Sequence, residues 1–82
     1  MIKEIKKNRI YSKFLNYLST LDFIDYGNEK KDYTDGMSYV YRYDMGKILV
    51  NDIHLYQLNQ IFNANISEDE FIKIIKIKHN IK

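Results

Sequence analysis

The chain has 82 residues, 45% of them hydrophobic, with 13 basic and 11 acidic side chains, a formal net charge of +2, and no Cys, Pro or Trp. That size suits one domain, residues 1–82, with one core, and is too short for two. Without Cys there is neither a disulfide framework nor a thiolate metal site, so stability must come from packing and a reducing, cytoplasmic setting is expected.

No apolar run approaches the roughly 20 residues that cross a bilayer. The opening residues Met1 to Lys7 carry the positive charge of a signal peptide but neither its unbroken apolar stretch nor a small-residue cleavage site. No membrane partner is expected. Charge is uneven along the chain: +4 over residues 1–20, −3 over residues 21–46 and +1 over the remainder. A nucleic-acid module usually carries a larger basic excess, because each phosphate neutralised adds to affinity through counterion release. Abundant Ile, Lys, Asn and Tyr reflect the bias of AT-rich coding and say little about the fold.

The first helix is predicted from about Lys3 or Asn8 to Ser19. Ile10, Tyr11, Phe14, Tyr17, Leu18 and Leu21 fall on one stripe of a 3.6-residue wheel, and Ile2 and Ile5 fall off it. Asn8 is a competent N-cap, so residues 1–7 are expected to fray. Leu21 to Tyr26 is a candidate first strand, since Leu21 and Phe23 can share a face. Residues 27–36, polar and bounded by Gly27 and Gly36, read as an exposed loop holding one aromatic, Tyr33.

Ser38 to Val50 is the stretch around which the rest is organised. It reads as two strands joined at Asp44-Met45-Gly46-Lys47, because a Gly two places after an Asp supplies the positive φ of a tight turn. Alternation in the first strand puts Tyr39, Tyr41 and Tyr43 on one face and Ser38, Val40 and Arg42 on the other. This tyrosine ladder either stands on an open sheet face or turns toward the helices. Asn51 then caps a second helix, Asp52 to Phe62, with Leu55, Leu58 and Phe62 as its stripe and His54 and Ile61 at the flanks. Ser67-Glu68-Asp69-Glu70 is a capping box that opens a third helix. Residues 71–78 alternate in a way a strand also favours, but the capping box decides for helix, with Phe71, Ile74, Ile75 and Ile81 inward. The expected fold is α+β: a small two-layer domain in the order α-β-β-β-α-α, with a three-stranded antiparallel meander and helices packed on one face.

Groups for chemistry are sparse. A nucleophilic triad needs a base, and only His54 and His79 qualify. His54, beside an apolar stripe, reads as a half-buried structural histidine, and His79 as a helix-end cation or plain surface. Two distant histidines do not make a zinc site. Asp22 with Asp25, or Asp32 with Asp35, lack the ligand density of a calcium loop, and three isolated glycines make no phosphate cradle. No enzyme activity, cofactor or metal is expected.

A non-enzymatic protein-binding module is the expectation that remains, with Tyr39, Tyr41, Tyr43, Arg42 and Tyr33 as partner-binding residues. Eight Tyr in 82 residues is a high count, and tyrosine offers large area at low rotamer cost. Small domains without catalytic groups are also what phages and other mobile elements encode to block host proteins, so an inhibitor of that kind is expected by analogy. The alternative is a nucleic-acid-binding accessory protein, stacking bases on the same tyrosines with Lys3 to Lys13 on the phosphates. Helices two and three would form a helix-turn-helix only by aiming Glu68, Asp69 and Glu70 at the groove. A tyrosine-rich strand at a sheet edge also allows a homodimer.

Overall fold

The computed structural model describes the backbone of residues 2–81 and the side chains of residues 8–81. The elements are α1 (Ile2–Leu18), β1 (Asp22–Gly27), β2 (Lys30–Thr34), β3 (Tyr39–Asp44), β4 (Lys47–Val50), α2 (Asp52–Phe62) and α3 (Glu68–Lys78). The strands form one antiparallel sheet in the order β1-β2-β3-β4, so each strand pairs with its neighbour in sequence. The two-layer α+β arrangement is as expected, with one strand more.

The extra strand is β2, where an exposed loop over residues 27–36 is predicted. Between β1 and β2 lies only a two-residue turn, Asn28-Glu29, with φ of 54° and 59°, and the loop proper is confined to residues 35–38. Two successive left-handed residues give the mirror-image turn whose twist matches a hairpin. The polar run that follows pairs on both sides because its alternation is of charge and ring, not of apolar and polar: Lys31 and Tyr33 take one face, Lys30 and Asp32 the other. The turn at Asp44-Met45-Gly46-Lys47 forms as predicted, with Met45 and Gly46 both at positive φ. The helix of α1 begins at Ile2, ahead of Asn8, so Asn8 is not its cap; the side chains of residues 1–7 lie outside the described residues.

The core lies between the helices and one face of the sheet. Phe14 and Leu18 of α1, Leu55 and Leu58 of α2, Phe71, Ile74 and Ile75 of α3, and Val40 and Tyr41 of β3 are all buried there, with Ile66. Phe14 meets Phe71 and Phe62 edge to face at 5.8 and 5.2 Å, pairs that contribute about 0.5–1.5 kcal/mol each beyond the area they bury. Residues 71–78 are helical, and the capping box that predicts this is formed in both directions. Asn51 caps α2 through Ile53 and His54 N–H, and its own amide donates to the Tyr39 carbonyl, tying the helix start to β3. Asn59 grips both backbone groups of Ile66 at 2.9 Å, which fixes the connection between α2 and α3.

Candidate functional site

A bulge in β3 decides where the predicted site residues go. Tyr33 pairs with Tyr41 but Thr34 pairs with Tyr39, leaving Val40 without a partner on β2. The Val40 carbonyl accepts instead from Asn51 N–H at 3.0 Å. With one residue inserted, the period-two pattern slips. Val40 and Tyr41 are both fully buried, whereas Tyr39 is 40% exposed on the opposite face beside Arg42. The single-faced ladder is thus corrected: Tyr41 and Tyr43 face the helices with Tyr33, while Tyr39 and Arg42 stand on the open face.

On the helix side, Phe23, Tyr33 and Tyr41 form a row across three strands. Tyr33 and Tyr41 stack nearly parallel, with centroids 4.5 Å apart. His79 sits over this row and over Tyr43, at 5.1 Å from Tyr33, 5.9 Å from Tyr41 and 5.8 Å from Tyr43. The Tyr41 hydroxyl lies 2.7 Å from His79 Nε2 and accepts from Lys78 Nζ at 3.3 Å. An oxygen that accepts from Lys78 satisfies its own buried proton by donating to Nε2, which leaves the imidazole proton on Nδ1. Burial pushes the Tyr41 phenol far above its ordinary range. Burial, and then the ammonium groups of Lys78 and Lys31, hold the His79 pKa below its ordinary value. His79 is therefore a neutral ring in a hydrogen-bonded cluster, which corrects the helix-end cation or plain surface residue expected from the sequence.

Because α3 stops at Lys78, the helix layer leaves this end of the sheet uncovered. A groove of about 330 Å³ opens there, lined by Glu29, Lys31, Tyr33, Tyr43, His79 and Ile81.

The open face has a different character. Ile24, Asp32, Arg42 and Leu49 form one cross-strand row over all four strands. Arg42 donates to both Asp32 oxygens, at 2.5 and 3.0 Å, and Tyr26 donates a third bond at 3.1 Å. The Arg42 bond, helped by Tyr26, holds the Asp32 carboxyl below its ordinary pKa against the opposing effect of burial. The Asp32 side chain is 9% exposed and that of Arg42 33%. Around this pair stand Ile24, Tyr26, Tyr39 and Leu49, each between 40% and 53% exposed. The sequence offered Tyr26 as a neighbour of the ladder on an open face, where it stands, but missed Asp32, Ile24 and Leu49, because a residue's face follows from register and β2 was read as loop.

At the far side of the core the Tyr17 hydroxyl meets His54 Nε2 at 2.6 Å, and His54 Nδ1 lies 3.8 Å from an Asp35 oxygen. His54 is 6% exposed, and burial holds its pKa low against the pull of Asp35. The three residues have the order of a proton relay, but their geometry fastens α1, α2 and the loop after β2 to one another. Asp35 also accepts from Met37 and Ser38 N–H, which closes that loop. The described residues contain no group of three or more His, Asp or Glu arranged to hold a metal, and no helix among them is long and apolar enough to cross a membrane.

Comparison with protein-family models, with curated proteins and with solved structures returned no match. The functional reading therefore rests on the residues of this chain.

Proposed function

We infer that this chain is a small protein-binding module that docks a partner on its open sheet face. One observation carries the reading: all four strands contribute to an uncovered surface in which Tyr26, Tyr39, Ile24 and Leu49 surround an arginine already fixed by a buried carboxylate. Tyr and Arg are the residue types that dominate binding energy at protein interfaces, and an arginine held in place loses less entropy on docking. The charges on this face favour protein over nucleic acid. Register puts Asp22, Asp32 and Asp44 there against Lys30, Lys47 and Arg42, a balance that gives a polyanion no net attraction. An inhibitor or accessory factor, acting without chemistry of its own, is the role this surface suits.

The test is a comparison of variants on the two sides of the molecule. Partner capture from the native host, read by mass spectrometry, is expected to be lost in Tyr39→Ala with Leu49→Asp and kept in Ile61→Asp on the outer surface of α2, where Ile61 is 71% exposed. Both variants should melt like the parent. Equal capture by all three proteins, or oligonucleotide binding that falls steeply with salt, overturns the reading.

A further inference from the structure

The groove at the end of α3 lies on the other side of the sheet from Tyr39 and Arg42, and it has the features of a small-molecule site. Its volume of about 330 Å³ falls at the low end of the range for ligand pockets, roughly 300–1,000 Å³, which is room for one ring system. Two of its walls are the rings of Tyr33 and Tyr43. Lys31 lines it and is in no ion pair within 4 Å among the described residues, with Asp25 across from it on β1, and Lys78, which donates to the Tyr41 hydroxyl, stands close by. Lys31 lies 5.0 Å over Phe23 and Lys78 4.5 Å over Tyr33. His79 adds the Nδ1 proton that the Tyr41 bond leaves over. Glu29, which also lines the groove, has no ion-pair partner among the described residues and holds a left-handed backbone, φ 59°, at a position glycine would fill without strain. Strain kept at a residue that lines a groove is a pointer to use.

We propose that this groove binds a small planar aromatic monocarboxylate, its ring against Tyr33 and Tyr43 and its carboxylate held by Lys31 and the imidazole of His79. The charges set the limit of one. Lys31 and Lys78 at this end of the sheet are matched by Glu29 and by Asp25, which stands across from Lys31 on β1, so one carboxylate can compete for Lys31 while a second anionic charge meets two carboxylates.

The test is an NMR titration of the whole chain at neutral pH with indole-3-acetate as probe. Saturable shifts are expected at Lys31, Tyr33, Tyr43 and His79. Lys31→Met, which keeps the stem and removes the charge, should weaken binding about tenfold or more, the loss of one charge-assisted hydrogen bond. Tyr43→Ala should weaken it comparably, and Tyr39→Ala on the far face should not change it. Indole and sodium acetate, each half of the probe, should bind much more weakly. Acetate with the affinity of the probe would mean an adventitious ion only and overturns the proposal, as does the lack of saturable shifts up to about 10 mM probe, the limit of useful affinity. Tighter binding of adenosine monophosphate, a dianion, by the unmodified chain overturns the assignment to a monocarboxylate. In Glu29→Gly that preference should move toward the dianion, while the fold is kept.

Discussion

Tyr39 and Tyr41 stand two residues apart on one strand and face opposite sides of the sheet, because Val40 is inserted between their partners on β2. The consequence is a difference in kind between two substitutions. Tyr41 is fully buried and Tyr39 40% exposed. Tyr41→Ala should cost about 3–5 kcal/mol in urea unfolding, the range for emptying an aromatic site in a core. Tyr39→Ala should stay within about 0.5 kcal/mol of the parent, as surface changes do. Equal losses would mean that the bulge does not form.

Stability should fall on the acid side in two stages. Burial is the leading cause that lowers the pKa of both His54 and His79 in the folded chain. An unfolded histidine titrates near 6.5, so below about that pH the unfolded chain takes up protons that the folded chain refuses. The contribution is complete above that value and is lost as pH falls through the lowered folded pKa values. Asp32 and Asp35 are also lowered, chiefly by hydrogen bonds from Arg42 and from the Ser38 backbone, and their contribution is present above the ordinary carboxylate range and lost further down. Thermal melts between pH 7.5 and 5 should drop in the parent and flatten in a His54→Gln, His79→Gln double variant. A parent flat over that range would contradict the burial of both rings.

The Asp32–Arg42 pair should respond unequally to losing one partner or the other. Asp32 is the buried member, so Arg42→Met strands a carboxylate with only the Tyr26 hydroxyl for company. Asp32→Asn leaves a guanidinium that is one-third exposed and free to turn to water. Arg42→Met should therefore lower the melting temperature more than Asp32→Asn at pH 7, and the gap should narrow as Asp32 is protonated. The reverse order would place the buried charge on the arginine.

Glu29→Gly should stabilise the fold. A left-handed backbone costs an L-residue roughly 1–2 kcal/mol, against about 0.5–1 kcal/mol of extra chain entropy that glycine loses on folding. At φ 59° beside Asn28 the change would create the Asn-Gly pair that this turn prefers, and no heavy contact is lost with the exposed side chain. A net gain of up to about 1 kcal/mol in denaturant unfolding is expected. A loss would show that Glu29 is held by interactions outweighing its strain.

Much of the helix layer was legible in the chain. The stripe Ile10, Tyr11, Phe14, Tyr17, Leu18 and Leu21 does pack against the core, and Ser67 with Glu70 does start α3. Periodicity and caps are local, so a single sequence carries them. Of the sheet, three strands were legible, Leu21 to Tyr26 as β1 and the two joined at Asp44-Met45-Gly46-Lys47, whose glycine betrays the turn, whereas Asn28-Glu29 has none at either central position and β2 was lost with it. Lys30 to Thr34 reads as loop because its stability comes from neighbours on both sides. The bulge at Val40 depends on Asn51, eleven residues further on, which takes its carbonyl. Hence the tyrosines were found but their two faces were not, and Asp32, the anchor of the open face, looked like a loop carboxylate.

The nearest-neighbour order of the strands also bears on how the chain gets to its native state. Each hairpin closes a short loop, and closure of short loops costs little entropy, so the meander can zip from any of its three turns. Packing of α1 on α3 joins opposite ends of the chain and cannot begin until both have something to land on. Folding kinetics should then find Tyr33 and Tyr41 partly organised at the barrier and Phe14 settling after it, so that loosening Phe14 would mainly hasten unfolding.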